Sequence, residues 1–154
     1  MIRKAIEEDM MFLFNLKNQS SVLWWSFNRN PVSIETHRIW FKEKMEDPLI
    51  DLYVVEEDGL RVGQTRFDID IVTQNATVSI DISEMHRGKG FGRRAILESL
   101  EKFFSEHPEI KTVIAYIYAE NTISQKTFAK AGFSNPEICP EHGDRVEMQY
   151  KRSS

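Results

Sequence analysis

Residues 76–94 read Ala76-Thr77-Val78-Ser79-Ile80-Asp81-Ile82, Ser83-Glu84-Met85-His86, then Arg87-Gly88-Lys89-Gly90-Phe91-Gly92-Arg93-Arg94. The first run alternates with a period of two, which predicts a strand with Val78, Ile80 and Ile82 on one face and Ser79 and Asp81 on the other. After the glycines, Ile96, Leu97, Leu100, Phe103 and Phe104 recur at helical spacing, which predicts a helix from Phe91 to Glu106, closed by Pro108. Three of the chain's seven glycines thus fall at one strand-to-helix junction. A loop of this kind leaves backbone N–H groups unpaired and, without Cβ atoms, lets an anion approach them. The helix dipole adds partial positive charge there, and Lys89, Arg93 and Arg94 add full charges. A phosphate or pyrophosphate is the expected ligand. A Walker loop is excluded because Arg93-Arg94 stands where a hydroxyl should hold magnesium. A dinucleotide fingerprint is excluded by the glycine spacing and by the antiparallel character of the preceding strands.

Working outward, Thr112 to Tyr118 is a nearly continuous apolar strand, so strand, helix and strand form a parallel crossover. A further helix is predicted from Thr122 to Ala131, closed by Gly132, and Val146 to Lys151 reads as a last edge strand. Towards the N-terminus, Asp51 to Glu56 and Leu60 to Asp70 make a hairpin about Glu57-Asp58-Gly59. Ser33-Ile34-Glu35-Thr36 opens a helix that ends at Asp47-Pro48, and Asp9 caps another running to Lys17. Ile2 to Ile6 is a short strand, and Gln19 to Asn30, with Trp24, Trp25 and Phe27, reads as an aromatic loop. The fold class is therefore α/β: a mixed central sheet of six to seven strands, antiparallel in its first half and flanked by about four helices.

Length and composition narrow the function. The 154 residues suit a single domain, 1–154, with enough apolar material for a core. With 24 acidic against 20 basic side chains and a net charge of -4, nucleic acid is not the expected partner. Cys139 is the only cysteine, no His/Cys/Asp cluster has metal-ligand spacing, and no metal is expected. No apolar run suggests a membrane span or a signal peptide, so the expected location is the cytoplasm.

Two motifs carry a family resemblance. Arg87-Gly88-Lys89-Gly90-Phe91-Gly92 resembles the Arg/Gln-x-x-Gly-x-Gly/Ala acetyl-coenzyme A motif of the GNAT family of N-acetyltransferases. Residues 121–133, Asn121-Thr122-Ile123-Ser124-Gln125-Lys126-Thr127-Phe128-Ala129-Lys130-Ala131-Gly132-Phe133, resemble that family's Asn-x-x-Ala/Ser-x-x-x-Tyr/Phe-x-x-x-Gly-Phe helix. The resemblance implies a GNAT-like acyltransferase fold and acetyl-CoA as co-substrate. It implies that Arg87, Gly88, Lys89, Gly90, Phe91 and Gly92 bind the pyrophosphate through their N–H groups. It further implies that Ile80, Asp81 and Ile82 hold the pantetheine arm through their main chain, while Asn121, Ser124 and Phe128 lie near the thioester. Many members carry Tyr where this chain has Phe128, and that phenol protonates the departing thiolate. Phe128 cannot, so Tyr116, Tyr118 or Ser124 substitutes, or the thiolate leaves unassisted.

The attacking amine must be neutral, which calls for a base. Asp81 and Glu84 rank first because they flank the strand end, ahead of Asp68, His86 and His37. The acceptor site implied by the resemblance lies among the first helices and their loop, where Trp24, Trp25, Asn28, Arg29 and Trp40 suit a sugar or a base better than a polyamine. In finer detail the loop, the His-x-x-Trp-Phe segment and Val62 to Asp68 resemble the acetyltransferases of bacterial nonulosonic (pseudaminic) acid pathways, which acetylate a nucleotide-linked amino-deoxy sugar. Arg66, beside Asp68, is then a partner for the nucleotide phosphate. Acetylation of a protein N-terminus and a non-catalytic acetyl-CoA-binding module remain as alternatives. The chain is expected to be a monomer or homodimer.

Overall fold

The computed structural model describes residues 1–153. Seven strands form one sheet in the order β1-β2-β3-β4-β5-β7-β6: β1 Ile2–Lys4, β2 Ile50–Glu57, β3 Leu60–Asp70, β4 Asn75–Ile82, β5 Thr112–Tyr118, β6 Glu137–Cys139 and β7 His142–Lys151. All neighbours are antiparallel except β4 and β5, which run parallel through the crossover helix α4, Phe91–Glu106. The remaining helices are α1 Met10–Lys17, α2 Ser20–Trp24, α3 Ile34–Glu46 and α5 Thr122–Lys130. No helix among the described residues is long and apolar enough to cross a membrane.

The two faces of the sheet bury different sets of side chains, as strand alternation requires. Tyr53, Phe67, Val78, Val113 and Met148 pack with Ile96, Leu100 and Phe103 of α4 and Phe128 of α5. At its centre the Phe67 and Phe103 rings stack with centroids 4.3 Å apart and planes 9° from parallel. On the other face Leu52 and Val54 meet Leu13 and Leu16 of α1, Val22 of α2 and Phe41 of α3. Gln64 and Arg66 of β3, which pair with Val54 and Leu52, turn towards α1 and α3 with them, while Phe67, next along the strand, packs on the α4 side.

Two expectations are corrected. The Gln19–Asn30 segment is not all loop: Ser20–Trp24 forms α2, whose first turn is capped by a carboxylate distant in sequence, with Glu84 accepting from Ser21 N–H at 2.9 Å and from its hydroxyl at 2.6 Å. The last strand is not an edge. β7 lies between β5 and β6, and the edge is the three-residue β6, between Pro136 and Pro140, too short to leave a periodic signal.

One feature of the sheet positions the site. The β4–β5 ladder pairs only Asn75, Ala76 and Thr77 with Thr112, Val113 and Ile114. Beyond that point the strands separate, while Val78 to Ile82 stay registered on β3 and Ala115 to Tyr118 on β7. The gap leaves main-chain groups along one edge of β4 without a strand partner, and two cavities have Ile80 and Asp81 of this stretch in their walls.

Candidate active site

At the C-terminal end of β4 the Arg87–Gly92 loop enters α4 through two glycines in the left-handed region, Gly88 at φ 74° and Gly90, the N-cap, at φ 82°. A Cβ at either would have no protein atom within 4 Å, so the space above the loop is open to a ligand. The Arg87 guanidinium donates through Nε to the Ile82 carbonyl at 3.0 Å and ties the loop to the strand end. A cavity of about 670 Å³ extends from this loop between β4 and α5, with Arg87, Arg93, His86 and Lys130 as its basic lining. Of the expected phosphate cations, Lys89 does not line it, and Arg94 is turned away to Glu57 at 3.1 Å. The α4 N-terminus, open glycines and basic rim fit a pyrophosphate.

A second cavity, about 380 Å³, lies on the α1 and α3 side. The two share Trp25, Ile80, Asp81, Asn121, Ser124 and Phe128 in their walls. Asn121 caps α5 by accepting from Ser124 N–H at 3.2 Å, which fixes both residues at the junction. Asp81 accepts from Gln64 Nε2 at 2.8 Å. It is the single carboxylate among the residues lining the second cavity, against two permanent cations, Lys17 and Arg66.

Trp25 and Trp40 line this second cavity, whereas Trp24 is 54% exposed, lines neither, and lies under the Arg29 guanidinium at 4.2 Å. Arg29 is also 4.6 Å over the Tyr118 ring, and the Tyr118 hydroxyl donates to the Ser26 carbonyl at 3.2 Å. That phenol is thus engaged in pinning the α2–α3 connection to β5. Arg66 Nε lies 3.0 Å from Asp68 Oδ1 but too obliquely for a formed hydrogen bond, leaving both atoms buried and incompletely satisfied. Asp68 itself lines neither cavity.

Glu84, expected beside Asp81 as a candidate base, is elsewhere: it lines neither cavity and its carboxylate caps α2. The Ser21 hydroxyl, with the Ser21 N–H, holds its carboxyl below the usual range, which weakens it as a base. His37 lines the second cavity with Nε2 3.1 Å from the Met10 carbonyl and its ring stacked on Trp40, and burial lowers its pKa. Tyr116 also faces this cavity, its phenol pushed up by burial and then by Glu147. Lys17 and Gln64 gave no functional signal in the sequence, because only the register of β3 on β4 and the docking of α1 bring them to the cavity.

Among the described residues, one group of His and carboxylates is close enough to hold an ion: Asp51, Glu106 and His107. Lys4 Nζ already lies 3.2 Å from Asp51 and 3.1 Å from Glu106, and none of these residues lines either cavity.

Comparison with known proteins agrees with this geometry. A family model described as an acetyltransferase (GNAT) domain matches residues 1–134. Two proteins of Bacillus subtilis (strain 168) are similar in sequence. YwnH, provisionally named a phosphinothricin acetyltransferase, is 30% identical over 128 residues, spanning 77% of this chain and 76% of that protein. YokL, named an uncharacterized prophage-derived N-acetyltransferase, is 31% identical over 139 residues, spanning 84% and 73%. The spermidine N-acetyltransferase from Vibrio cholerae, solved in complex with CoA and spermine, has the same fold, with a TM-score of 0.87 at 21% identity over 98% of this chain and 94% of that one.

Proposed function

The chain belongs to the GNAT family of N-acetyltransferases, and on that premise we propose that it carries the acetyl group of acetyl-CoA directly to the primary amine of a nucleotide-linked amino-deoxy sugar. The observation that carries the transfer is the meeting of the two cavities at Ile80, Asp81, Asn121, Ser124 and Phe128, with a phosphate cradle at the far end of one and the aromatic chamber at the other. The chamber supports the acceptor class. Trp25, Trp40 and Tyr118 offer flat faces to a sugar or base, and Lys17 and Arg66 offer positive charge to a phosphate. A polyamine would meet two cations and only one carboxylate.

Bound acetyl-CoA supplies an acetyl thioester, whose thiol, with an ordinary pKa of about 8.5, is a fair leaving group. Asp81, in the walls of both cavities, takes the proton that the acceptor nitrogen must lose. Main-chain N–H groups on the open edge of β4 stabilise the negative charge that develops on the carbonyl oxygen. The Tyr118 hydroxyl is committed to Ser26, so the leaving thiolate has no acid from that phenol.

Thermal unfolding with and without acetyl-CoA, beside a Gly90→Glu variant, tests the coenzyme site. With ligand at about 100 times its Kd, linkage stabilises the parent by roughly 2.7 kcal/mol. The variant, with a charged side chain at a left-handed position under the pyrophosphate, shows no shift. An intact parent that does not respond refutes the site. Turnover is then compared across a nucleotide-linked amino sugar, phosphinothricin, spermidine and an alanine-terminated peptide. Preference for any amine other than the sugar refutes the acceptor reading, and an Asp81→Asn variant with parental kcat refutes the base.

A further inference from the structure

We propose that the side-chain carbonyl of Gln64 is the docking point for the acceptor's amino nitrogen, and that this residue sets the enzyme's preference for primary amines. The inference rests on Asp81 lying where the proton is lost, and adds to it a second contact with the same nitrogen.

Gln64 stands opposite Asp81 in the β3–β4 ladder and is 8% exposed. The two ends of its amide have nearly the same shape, but a carboxylate only accepts hydrogen bonds, so the nitrogen must be the atom 2.8 Å from Asp81 Oδ2. Oε1 is thereby the free end of the amide. It is buried and has no hydrogen-bond partner, and the residue lines the acceptor cavity but not the coenzyme cavity. Buried carbonyl oxygens without donors are rare in folded proteins, and this one belongs to a residue on the cavity wall, where an N–H brought by the acceptor would pair it.

Neither cation lining this cavity donates to Oε1. Lys17 Nζ donates to the Ser26 hydroxyl at 3.2 Å, and Arg66 leans on Asp68. A primary ammonium carries three N–H bonds. One donates to Asp81, which takes that proton and becomes the neutral carboxylic acid; one is accepted by Gln64 Oε1; and the nitrogen, now neutral, holds the lone pair that attacks the thioester carbonyl. An alcohol has a single O–H and cannot serve both groups, so when it binds either Asp81 or the buried Gln64 Oε1 goes without its donor. The amide thus acts twice: its N–H holds the Asp81 carboxylate in place, and its carbonyl orients the nucleophile.

The test begins with the amine turned over best among those named above, whichever it is, so that a wrong acceptor class does not count against Gln64. Gln64→Met keeps the length of the side chain and removes both polar atoms. Its kcat/KM for that amine falls roughly 10- to 100-fold, as loss of hydrogen bonds to a reacting amine predicts, while KM for acetyl-CoA and the unfolding temperature stay at parental values. Gln64→Glu keeps an oxygen for the amine but sets a carboxylate against Asp81; it retains more amine affinity than Gln64→Met and loses kcat. An unchanged kcat/KM for the amine in Gln64→Met overturns the proposal. So does a loss accompanied by equal changes in acetyl-CoA KM and stability, which marks a structural role. A measurement without turnover stands beside it: the side-chain carboxamide resonances of Gln64 in ¹⁵N-labelled protein, identified by their absence from Gln64→Met, are followed as methylammonium or tetramethylammonium is added with CoA present. They respond to methylammonium and not to tetramethylammonium, which has no N–H to give. No response to either, or the same response to both, overturns the proposal even where Asp81→Asn confirms the base.

Discussion

Replacing Gly63 by alanine places a methyl group against Asp81 and Ile82 of β4. A Cβ there runs into the Asp81 carbonyl oxygen and stands 2.8 Å from Ile82 Cδ1 and 3.2 Å from Ile82 Cα. Carbon atoms settle at about 3.5–4.0 Å, so the Ile82 side chain must retreat by about 1 Å and its backbone by about 0.5 Å. Overpacking of this kind costs about 1–3 kcal/mol, or roughly 2–12 °C of unfolding temperature for a chain of this size. The displaced segment includes Asp81, which lines both cavities, and a misplacement of about 1 Å at a reacting centre costs up to about 100-fold in rate. Thermal unfolding and steady-state kcat at saturating substrates read the two effects separately. Gly143→Ala, where a Cβ meets nothing within 4 Å, is the control and should match the parent. A Gly63→Ala variant with parental kcat and unfolding temperature refutes the claim that close approach at this point positions Asp81.

Three further outcomes follow from named contacts. Glu84→Gln loses the charged cap on α2 and lowers the unfolding temperature slightly with kcat retained; a large fall in kcat would return Glu84 to the candidate bases. Tyr118→Phe keeps kcat within several-fold and raises KM for the acceptor, because the lost hydroxyl holds the Ser26 carbonyl; a roughly 100-fold slower turnover would mark an acid instead. Asp9 governs acid stability: burial pushes its carboxyl up, but Arg3, the Ile6 N–H and Arg61 outweigh that and hold it at about 2 against an ordinary 3.8. A depressed folded pKa stabilises above the unfolded value, so about 2 kcal/mol is fully present above pH 4 or so and is lost as pH falls towards 2. In urea titrations the gap between parent and Asp9→Asn is widest at neutral pH and closes over that interval; a constant gap would contradict the assignment.

Much of the fold was legible in the sequence because its long elements carry their own periodicity. The α4 helix and β5 fall where the spacing of Ile96, Leu100 and Phe103 and the apolar run at Val113 put them. The elements that were missed depend on remote partners. The α2 helix has five residues and its cap is Glu84, while β6 has three residues and exists only as the neighbour of β7. Short segments gain too little from local hydrogen bonds to form without such support.

The candidate site divides in the same way. The open glycines at Gly88 and Gly90 could be read from residue types, since a missing Cβ and the freedom to take a positive φ are local properties. That Asp81 and Glu84, three residues apart, have opposite fates could not: one lines both cavities and the other caps α2. Nor could the sequence show that Gln64 would spend its N–H on Asp81 and keep its carbonyl buried and unpaired, since that depends on strand register and on α1 and α3 closing over the sheet. Backbone conformation is decided within a few residues by sterics, whereas the use of a polar side chain is decided by whichever partners the packed fold brings within about 3 Å of it.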